Sequence, residues 1–240
     1  MQFDMNLRGL RMAVTGGTSG LGLALVRLLV ARGTRVAFVA RGARAVEQIA
    51  HETGACGIVG DVGRKEDIYP IAMQVTGNLG GLDVLINNAS SLGPTPLAPL
   101  ADTECEELEL ALMVNLFGPF RLTKALFGAL AASAREGRGA AVINISSDAA
   151  INPYAGWGAY AASKAALHHL TAIWAKEAQG DGVSFLSLDP GDMDTPLHAI
   201  AVPDADPRKL KRPEDAAAEI LRSLVAALPS QAAGPVAVNP

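Results

Sequence analysis

Tyr160 and Lys164 stand four residues apart in Tyr160-Ala161-Ala162-Ser163-Lys164, within a stretch of helical character. That spacing shares one helix face, so the phenol and the ammonium point the same way. A free phenol, with a pKa of about 10, is a poor proton-transfer partner near neutrality. A close positive charge favours the phenolate and draws the pKa toward operating pH, where a general acid/base works best. Such pairs also occur on exposed helices, so this one takes its meaning from its surroundings. Ser147 lies thirteen residues before Tyr160, in Asn144-Ile145-Ser146-Ser147 at the end of an apolar run. Strand alternation turns Ser146 to the other side, and it is read as structural. Asn87-Asn88-Ala89-Ser90 closes an earlier apolar run, and Asp189-Pro190-Gly191-Asp192-Met193-Asp194-Thr195 follows a later one.

A second constellation lies near the start. Thr15-Gly16-Gly17-Thr18-Ser19-Gly20-Leu21-Gly22 follows one apolar run and opens a helical stretch. Glycines there permit a tight turn and let backbone N–H groups approach a pyrophosphate at the positive helix end. The spacing G-x-x-x-G-x-G departs from the general dinucleotide fingerprint, and no Lys-Ser/Thr follows, which removes a mononucleotide P-loop. The next apolar run ends in Val39-Ala40-Arg41. A carboxylate at that point would bind the ribose diol of NAD and repel a 2′-phosphate. The chain has none there and offers a guanidinium, whose planar, permanently charged fork suits a phosphate. NADP(H) is expected over NAD(H).

The elements that must carry these residues alternate along the chain. Strands are predicted at Arg11–Thr15, Arg35–Val39, Cys56–Val59, Val84–Asn87, Ala141–Ser146, Val183–Leu188 and Val236–Val238. Helices are predicted near Gly20–Arg32, Arg44–Glu52, Lys65–Asn78, Thr103–Ala134, Trp157–Gln179 and Pro213–Ala227. Unbroken apolar strands alternating with helices imply an α/β, Rossmann-type doubly wound parallel sheet with helices on both faces. One NADP-binding catalytic domain over 1–240 is expected, with a proline-punctuated substrate flap at about 190–213. In such sheets ligands bind beyond the carboxyl ends of the strands, which is where Ser147 falls.

Composition excludes several classes. Half of the 240 residues are hydrophobic, 18% are charged, and the formal charge is −4, without the clustered basic face that nucleic acid requires. Cys56 and Cys105 lie far apart with no partner at metal-ligand spacing, so they read as ordinary thiols and no metal is expected. Met1 to Arg11 carries Asp4 and Arg8 and no apolar run, so no signal peptide is expected. The apolar stretch Leu21–Gly33 is interrupted by Arg27 and Arg32, so no membrane span is expected. A cytoplasmic enzyme is the default.

Taken together, the chain from Leu10 to about Val238 resembles the short-chain dehydrogenase/reductase family in its compact single-domain branch. The matching features are Thr15-Gly-x-x-x-Gly20-x-Gly22, Asp61-Val62, Asn87-Asn88-Ala89, Asn115, Ser147, Tyr160-x-x-x-Lys164 and Pro190-Gly191-x-x-x-Thr195. The resemblance implies a seven-stranded sheet of order 3-2-1-4-5-6-7 and a set of roles. Tyr160 would give or take the proton, Lys164 would lower its pKa and bind the nicotinamide ribose, and Ser147 would hold the substrate oxygen. Asn115 would hold a water linking Lys164 to solvent. Gly16, Thr18, Ser19, Gly20, Leu21 and Gly22 would cradle the diphosphate, and Asp61 with Val62 would meet the adenine. Asn88, Ala89 and Ser90 would line the ribose side, and Pro190, Gly191, Met193 and Thr195 the carboxamide and diphosphate. Arg at position 41 marks NADP-preferring members. The family pairs its long helices between subunits, implying a homodimer or homotetramer through 103–134 and 157–179. Two departures stand out: Ser90 replaces the usual glycine after Asn-Asn-Ala, and Leu186-Ser187-Leu188-Asp189 lacks the customary Asn.

The substrate wall is expected from Ala149, Ile151, Pro153 and Trp157, with Leu197 and His198 from the flap. These are mainly apolar, with no basic cluster for a carboxylate or phosphate, which favours an uncharged small-molecule carbonyl or alcohol. Three readings stay open: an NADPH-dependent carbonyl reductase, an alcohol dehydrogenase running in reverse, and a dinucleotide-sensing protein on the same fold. Intact Asn115, Ser147, Tyr160 and Lys164 weigh against the sensor, which needs no proton relay.

Overall fold

A computed structural model of the chain describes residues 7–228. Six parallel strands form one sheet: β1 (Arg11–Thr15), β2 (Arg35–Ala40), β3 (Cys56–Val59), β4 (Val84–Asn87), β5 (Ala140–Ile145) and β6 (Val183–Leu188), in the order β3-β2-β1-β4-β5-β6. The expected α/β class and strand order hold for these six. The seventh predicted strand, 236–238, lies outside the described residues.

The strands are apolar on both sides because helices cover both faces. Successive side chains alternate between faces, so Val14, Val84, Ile86 and Ile143 enter one core while Ala13, Leu85 and Val142 enter the other. The first core is closed by α1 (Gly20–Ala31) and α8 (Pro213–Ala227) through Leu25, Leu29, Ile220 and Leu224. The helix α2 (Ala43–Thr53) packs at its edge with Val46 and Ile49. The second core is closed by α3 (Lys65–Leu79), which contributes Ile71 and Val75, and by α5 (Gly118–Arg135), which contributes Leu122, Leu126 and Leu130. Each such side chain, removed from water, contributes roughly 1.5–3 kcal/mol. On the same face, α6 (Gly158–Glu177) lays Trp174 flat on Phe185 of β6, ring centroids 5.4 Å apart and 4° from parallel.

The single helix expected over Thr103–Ala134 is three pieces. The helix α4 (Cys105–Leu112) begins with a capping box between Glu104 and Glu107, and a π-helical turn, Met113–Phe117, joins it to α5. An inserted π turn rotates the residues within it relative to a regular helix, and such turns frequently mark functional sites. This one holds Asn115. The composite helix Cys105–Arg135 is also the one described segment long and apolar enough to cross a membrane. That departs from the expectation of no such segment. Its apolar side is accounted for by the second core, where Leu122, Leu126 and Leu130 are buried.

The proline-rich segment 190–213 is built from short local elements. Thr195 caps a short helix, α7 (Pro196–Ala201), by accepting the His198 N–H at 3.2 Å, and a 3₁₀ turn follows at Pro207–Lys209. Its two ends are clipped together where Met193 pairs with Lys211. The Lys211 ammonium donates to the Pro190 carbonyl at 2.9 Å and to Glu219 of α8 at 2.6 Å.

Candidate active site

The carboxyl ends of the strands open into one cavity of about 1020 Å³, running from Arg41 at one end to His198 at the other. One half is built from glycine and backbone. Gly16 sits at φ +71°, and a Cβ there would come within 3.0 Å of both the Ala89 Cα and the Asn88 amide nitrogen. A Cβ on Gly22 would collide with the Gly16 carbonyl. Ser19, the N-cap of α1, makes no side-chain capping bond, so the first N–H groups of the helix face the cavity uncapped. Thr18, Ser19, Gly20 and Leu21 line the same wall. A bare helix N-terminus in a cradle that tolerates no side chain fits a pyrophosphate.

Around this turn the neighbouring strand ends are tied down. The Thr15 hydroxyl accepts the N–H groups of Asn88 and Ala89, each at 3.0 Å, and Asn88 Nδ2 donates to the Thr15 carbonyl at 2.8 Å. Asp61 shapes the turn after β3 by accepting the Gly63 N–H at 2.8 Å, and with Val62 it lines the cavity. Arg41 stands exposed on the rim just past β2, with no carboxylate at Ala40. Pro190, Gly191, Met193 and Thr195 complete this half.

The other half holds the ionisable groups. One turn apart on α6, Tyr160 and Lys164 are both buried, 8% and 2% exposed. The Lys164 ammonium donates to the Ile145 carbonyl at the end of β5, 2.7 Å away, and lies 5.6 Å from the centre of the Tyr160 ring. The Tyr160 phenol shares the cavity wall with Ser147 and Ser90. Ser147 also accepts the Ala149 N–H at 3.2 Å and donates to Asp148 at 3.1 Å, and Asp148 in turn accepts the Tyr154 hydroxyl at 2.6 Å.

Protonation here departs from the expectation. Burial pushes the Tyr160 phenol up to about 12, opposed by the Ser147 and Ser90 hydroxyls and reinforced by Asp189 and Asp148. Burial also brings Lys164 down to about 8. Shared helix-face placement is realised, but burial dominates and the phenol is raised rather than lowered. In this protein alone the phenol is a neutral donor at pH 7.

Asn115 is fully buried and does not line the cavity. Its Nδ2 donates to the Ser91 carbonyl (2.7 Å) and to Ser163 Oγ (2.8 Å), while Oδ1 accepts the Ser91 N–H (2.8 Å) and the Ser90 hydroxyl (3.2 Å). Two donors and two lone pairs are thereby used, leaving the side chain no capacity for a water. Below it, Asn87 Nδ2 donates to Asn144 Oδ1 and Asn144 Nδ2 to Thr171, both at 2.8 Å. Ser163, Asp148 and Tyr154 escaped the sequence reading. Ser163 could have been found, because it lies inside the Tyr160–Lys164 interval.

On the substrate side, Ala149, Trp157, Leu197 and His198 line the cavity, and Trp157 meets the Tyr160 ring edge-on at 5.7 Å. Ile151 and Pro153, expected beside them, do not: the 3₁₀ turn Asp148–Ala150 directs the chain outward, leaving Ile151 70% exposed. Leu110, Tyr154, Ile200 and Val202 line the cavity in their stead, with Leu92 from the loop after β4. The Nδ1 of His198 is buried with no hydrogen-bond partner among the described residues.

A doubly wound parallel sheet with a glycine-cradled helix N-terminus and a buried Tyr–Lys pair at one crevice defines an oxidoreductase of the nicotinamide-dinucleotide class. The sequence profile of the short chain dehydrogenases matches residues 11–205, and the chain belongs to that family. It is 34% identical over 206 residues to a short chain dehydrogenase of Pseudocercospora fijiensis, spanning 82% of this chain and 64% of that protein's length. Among solved structures, a short chain dehydrogenase from Burkholderia cenocepacia in complex with NADP superposes with a TM-score of 0.81 at 26% identity, over 94% of this chain and 93% of that one. A 3-ketoacyl-(acyl-carrier-protein) reductase from Brucella melitensis complexed with NADH gives 0.83 at 25% identity, over 90% of each chain.

Proposed function

We propose that the protein is an NADP(H)-preferring carbonyl reductase, with Tyr160 as the acid that protonates the substrate oxygen. The observation that carries this reading is that Tyr160 and Ser147 line the same cavity as the glycine cradle and Arg41. A nicotinamide bound there would supply the hydride. Ser147, turning its one proton from Asp148 to the carbonyl oxygen, holds that oxygen together with Tyr160, and Tyr160 releases its proton to it as negative charge develops. The same groups serve alcohol oxidation in reverse. With its side chain saturated, Asn115 acts by fixing the loop at Ser90–Ser91, and any water it holds would sit on its backbone carbonyl.

The substrate is an uncharged ketone or aldehyde. Asp148 and Asp192 lie on the substrate side, and among the described lining residues the only Lys or Arg are Arg41 and Lys164. An anionic substrate would meet carboxylates with no cation to spare, whereas Leu92, Leu110 and Ile200 suit an apolar chain. The test is NADPH consumption over neutral ketones, aldehydes and acyl thioesters, with Tyr160→Phe as control. Tyr160→Phe is expected to lower kcat about 10³-fold with NADPH affinity within about twofold of the parent. A fully active Tyr160→Phe removes Tyr160 from the mechanism.

A further inference from the structure

The Lys211 ammonium fixes a single peptide unit at the end of β6. It donates to the Pro190 carbonyl at 2.9 Å and to Glu219 of α8 at 2.6 Å. The N–H of the same peptide, on Gly191, donates to Asp189 Oδ1 at 2.9 Å, so both sides of the Pro190–Gly191 unit are tied. Gly191 sits at φ +75°, a conformation glycine enters and leaves with little cost, so the tie matters there. The Lys211 backbone is engaged separately. Its N–H donates to the Asp192 carbonyl and its carbonyl accepts the Asp194 N–H, each at 3.0 Å. The held peptide adjoins the catalytic half. Leu188, two residues earlier, pairs with Ile145 and accepts the Ser146 N–H at 2.8 Å, and the Ile145 carbonyl is the acceptor of Lys164. Pro190, Gly191 and Met193 line the cavity, whereas Lys211 does not.

We infer that Lys211 is a positioning residue for the nicotinamide half of the dinucleotide: it acts through the Pro190–Gly191 peptide and touches no ligand itself. The inference rests on the proposed function, in which the nicotinamide lies beside Tyr160 and the adenosine end lies at Arg41. Bonds from an ammonium are charge-assisted and roughly twice as strong as neutral ones. Glu219 ties that ammonium to α8, whose Ile220 and Leu224 are buried in the first core, so the peptide is referred to a rigid element. Without the ammonium, Pro190–Gly191 keeps only its bond to the exposed Asp189. A nicotinamide binding against it would then have to order the peptide itself, and that ordering costs affinity. Replacing the side chain leaves the two backbone bonds of Lys211 in place. The glycine cradle and Arg41 stand on other segments, so binding at the adenosine end does not depend on the ammonium.

The test is calorimetric binding of NADPH and of adenosine 2′,5′-bisphosphate, which keeps the 2′-phosphate and lacks the nicotinamide. Lys211→Met is expected to raise the Kd of NADPH about tenfold and to leave that of the bisphosphate within about twofold of the parent. Lys211→Arg, which keeps a charged donor, should restore NADPH binding to within about threefold. Unchanged NADPH binding in Lys211→Met overturns the inference. So does equal weakening of both ligands, which would place the effect on the whole fold, and so does a Lys211→Arg protein as weak as Lys211→Met. Should Lys211→Met fail to fold, Glu219→Gln, which removes the carboxylate that anchors the ammonium, carries the test. About threefold weaker NADPH binding with the bisphosphate unmoved supports the inference, and no change overturns it. Binding by the parent is read separately. If it takes NADH in preference to NADPH, only the phosphate preference falls, and NADH with AMP gives the same comparison. If it binds neither dinucleotide, the proposed function falls and takes this inference with it.

Discussion

Arg41 shows how much one side chain can decide. The end of β2 carries no carboxylate at Ala40, and the guanidinium is exposed on the rim of the cavity. A permanently charged fork there attracts a 2′-phosphate and gains nothing from a ribose hydroxyl beyond an ordinary hydrogen bond. Arg41→Ala is therefore expected to weaken NADPH binding about tenfold or more, the scale of one lost charge-assisted contact. NADH binding should change less than about twofold. Calorimetric titration of both cofactors against both proteins measures this. Equal losses for NADPH and NADH would show that Arg41 does not read the phosphate. The structural neighbours carry NADP in one case and NADH in another, so the fold alone does not set this choice.

At the scale of elements, what could be read from sequence was what is local. The six strands and the glycine turn announce themselves through apolar runs and residue types whose effect reaches a few positions. The π turn at Met113–Phe117 did not, because an apolar Met-Val-Asn-Leu-Phe run is compatible with any helix and the extra residue is accommodated by tertiary packing. Ile151 and Pro153 were misplaced for a similar reason: the outward course of the chain after Ala149 depends on the Ser147 cap, which no periodicity encodes. The raised phenol of Tyr160 is likewise a burial effect, set by elements distant in sequence. The same helices support a proposal about assembly. Phe117 in the π turn and Ile173 on α6 are exposed, and an apolar helical face in water is stabilised by a partner. Association of two or four copies through these helices is expected, and Phe117→Glu with Ile173→Glu should lower the mass seen in sedimentation to that of a monomer. A parent chain that already sediments as a monomer rejects the proposal.

Across the whole molecule, the edge of the sheet opposite the cavity is held by one carboxylate. Asp83, fully buried just before β4, accepts the Arg11 N–H at 2.7 Å, the Arg11 guanidinium at 2.6 Å, the Arg138 guanidinium at 3.0 Å and the Ser133 hydroxyl at 2.6 Å. Its own carbonyl accepts the Ala141 N–H at 3.0 Å, so the starts of β1, β4 and β5 meet at this residue. The far ends of those strands carry Thr15, Asn87 and the Ser147 loop, and their register at the site is anchored here. Burial alone would raise the Asp83 carboxyl, but the bonds from Arg11, Arg138 and Ser133 outweigh it and hold it at about 2. A carboxyl lowered on folding stabilises the native state above its unfolded pKa, near 3.9, and loses that contribution as pH falls through 2. The shift corresponds to about 2–3 kcal/mol at pH 7. Asp83→Asn keeps the shape but leaves two guanidinium groups facing a neutral amide, so it should cost about 3 kcal/mol at pH 7. In urea unfolding, the gap between parent and Asp83→Asn should narrow steadily from pH 5 toward pH 2, because the parent's carboxyl becomes neutral as well. A gap that stays constant over that range would mean that the ion pairs, though well formed, do not set the stability of the strand ends.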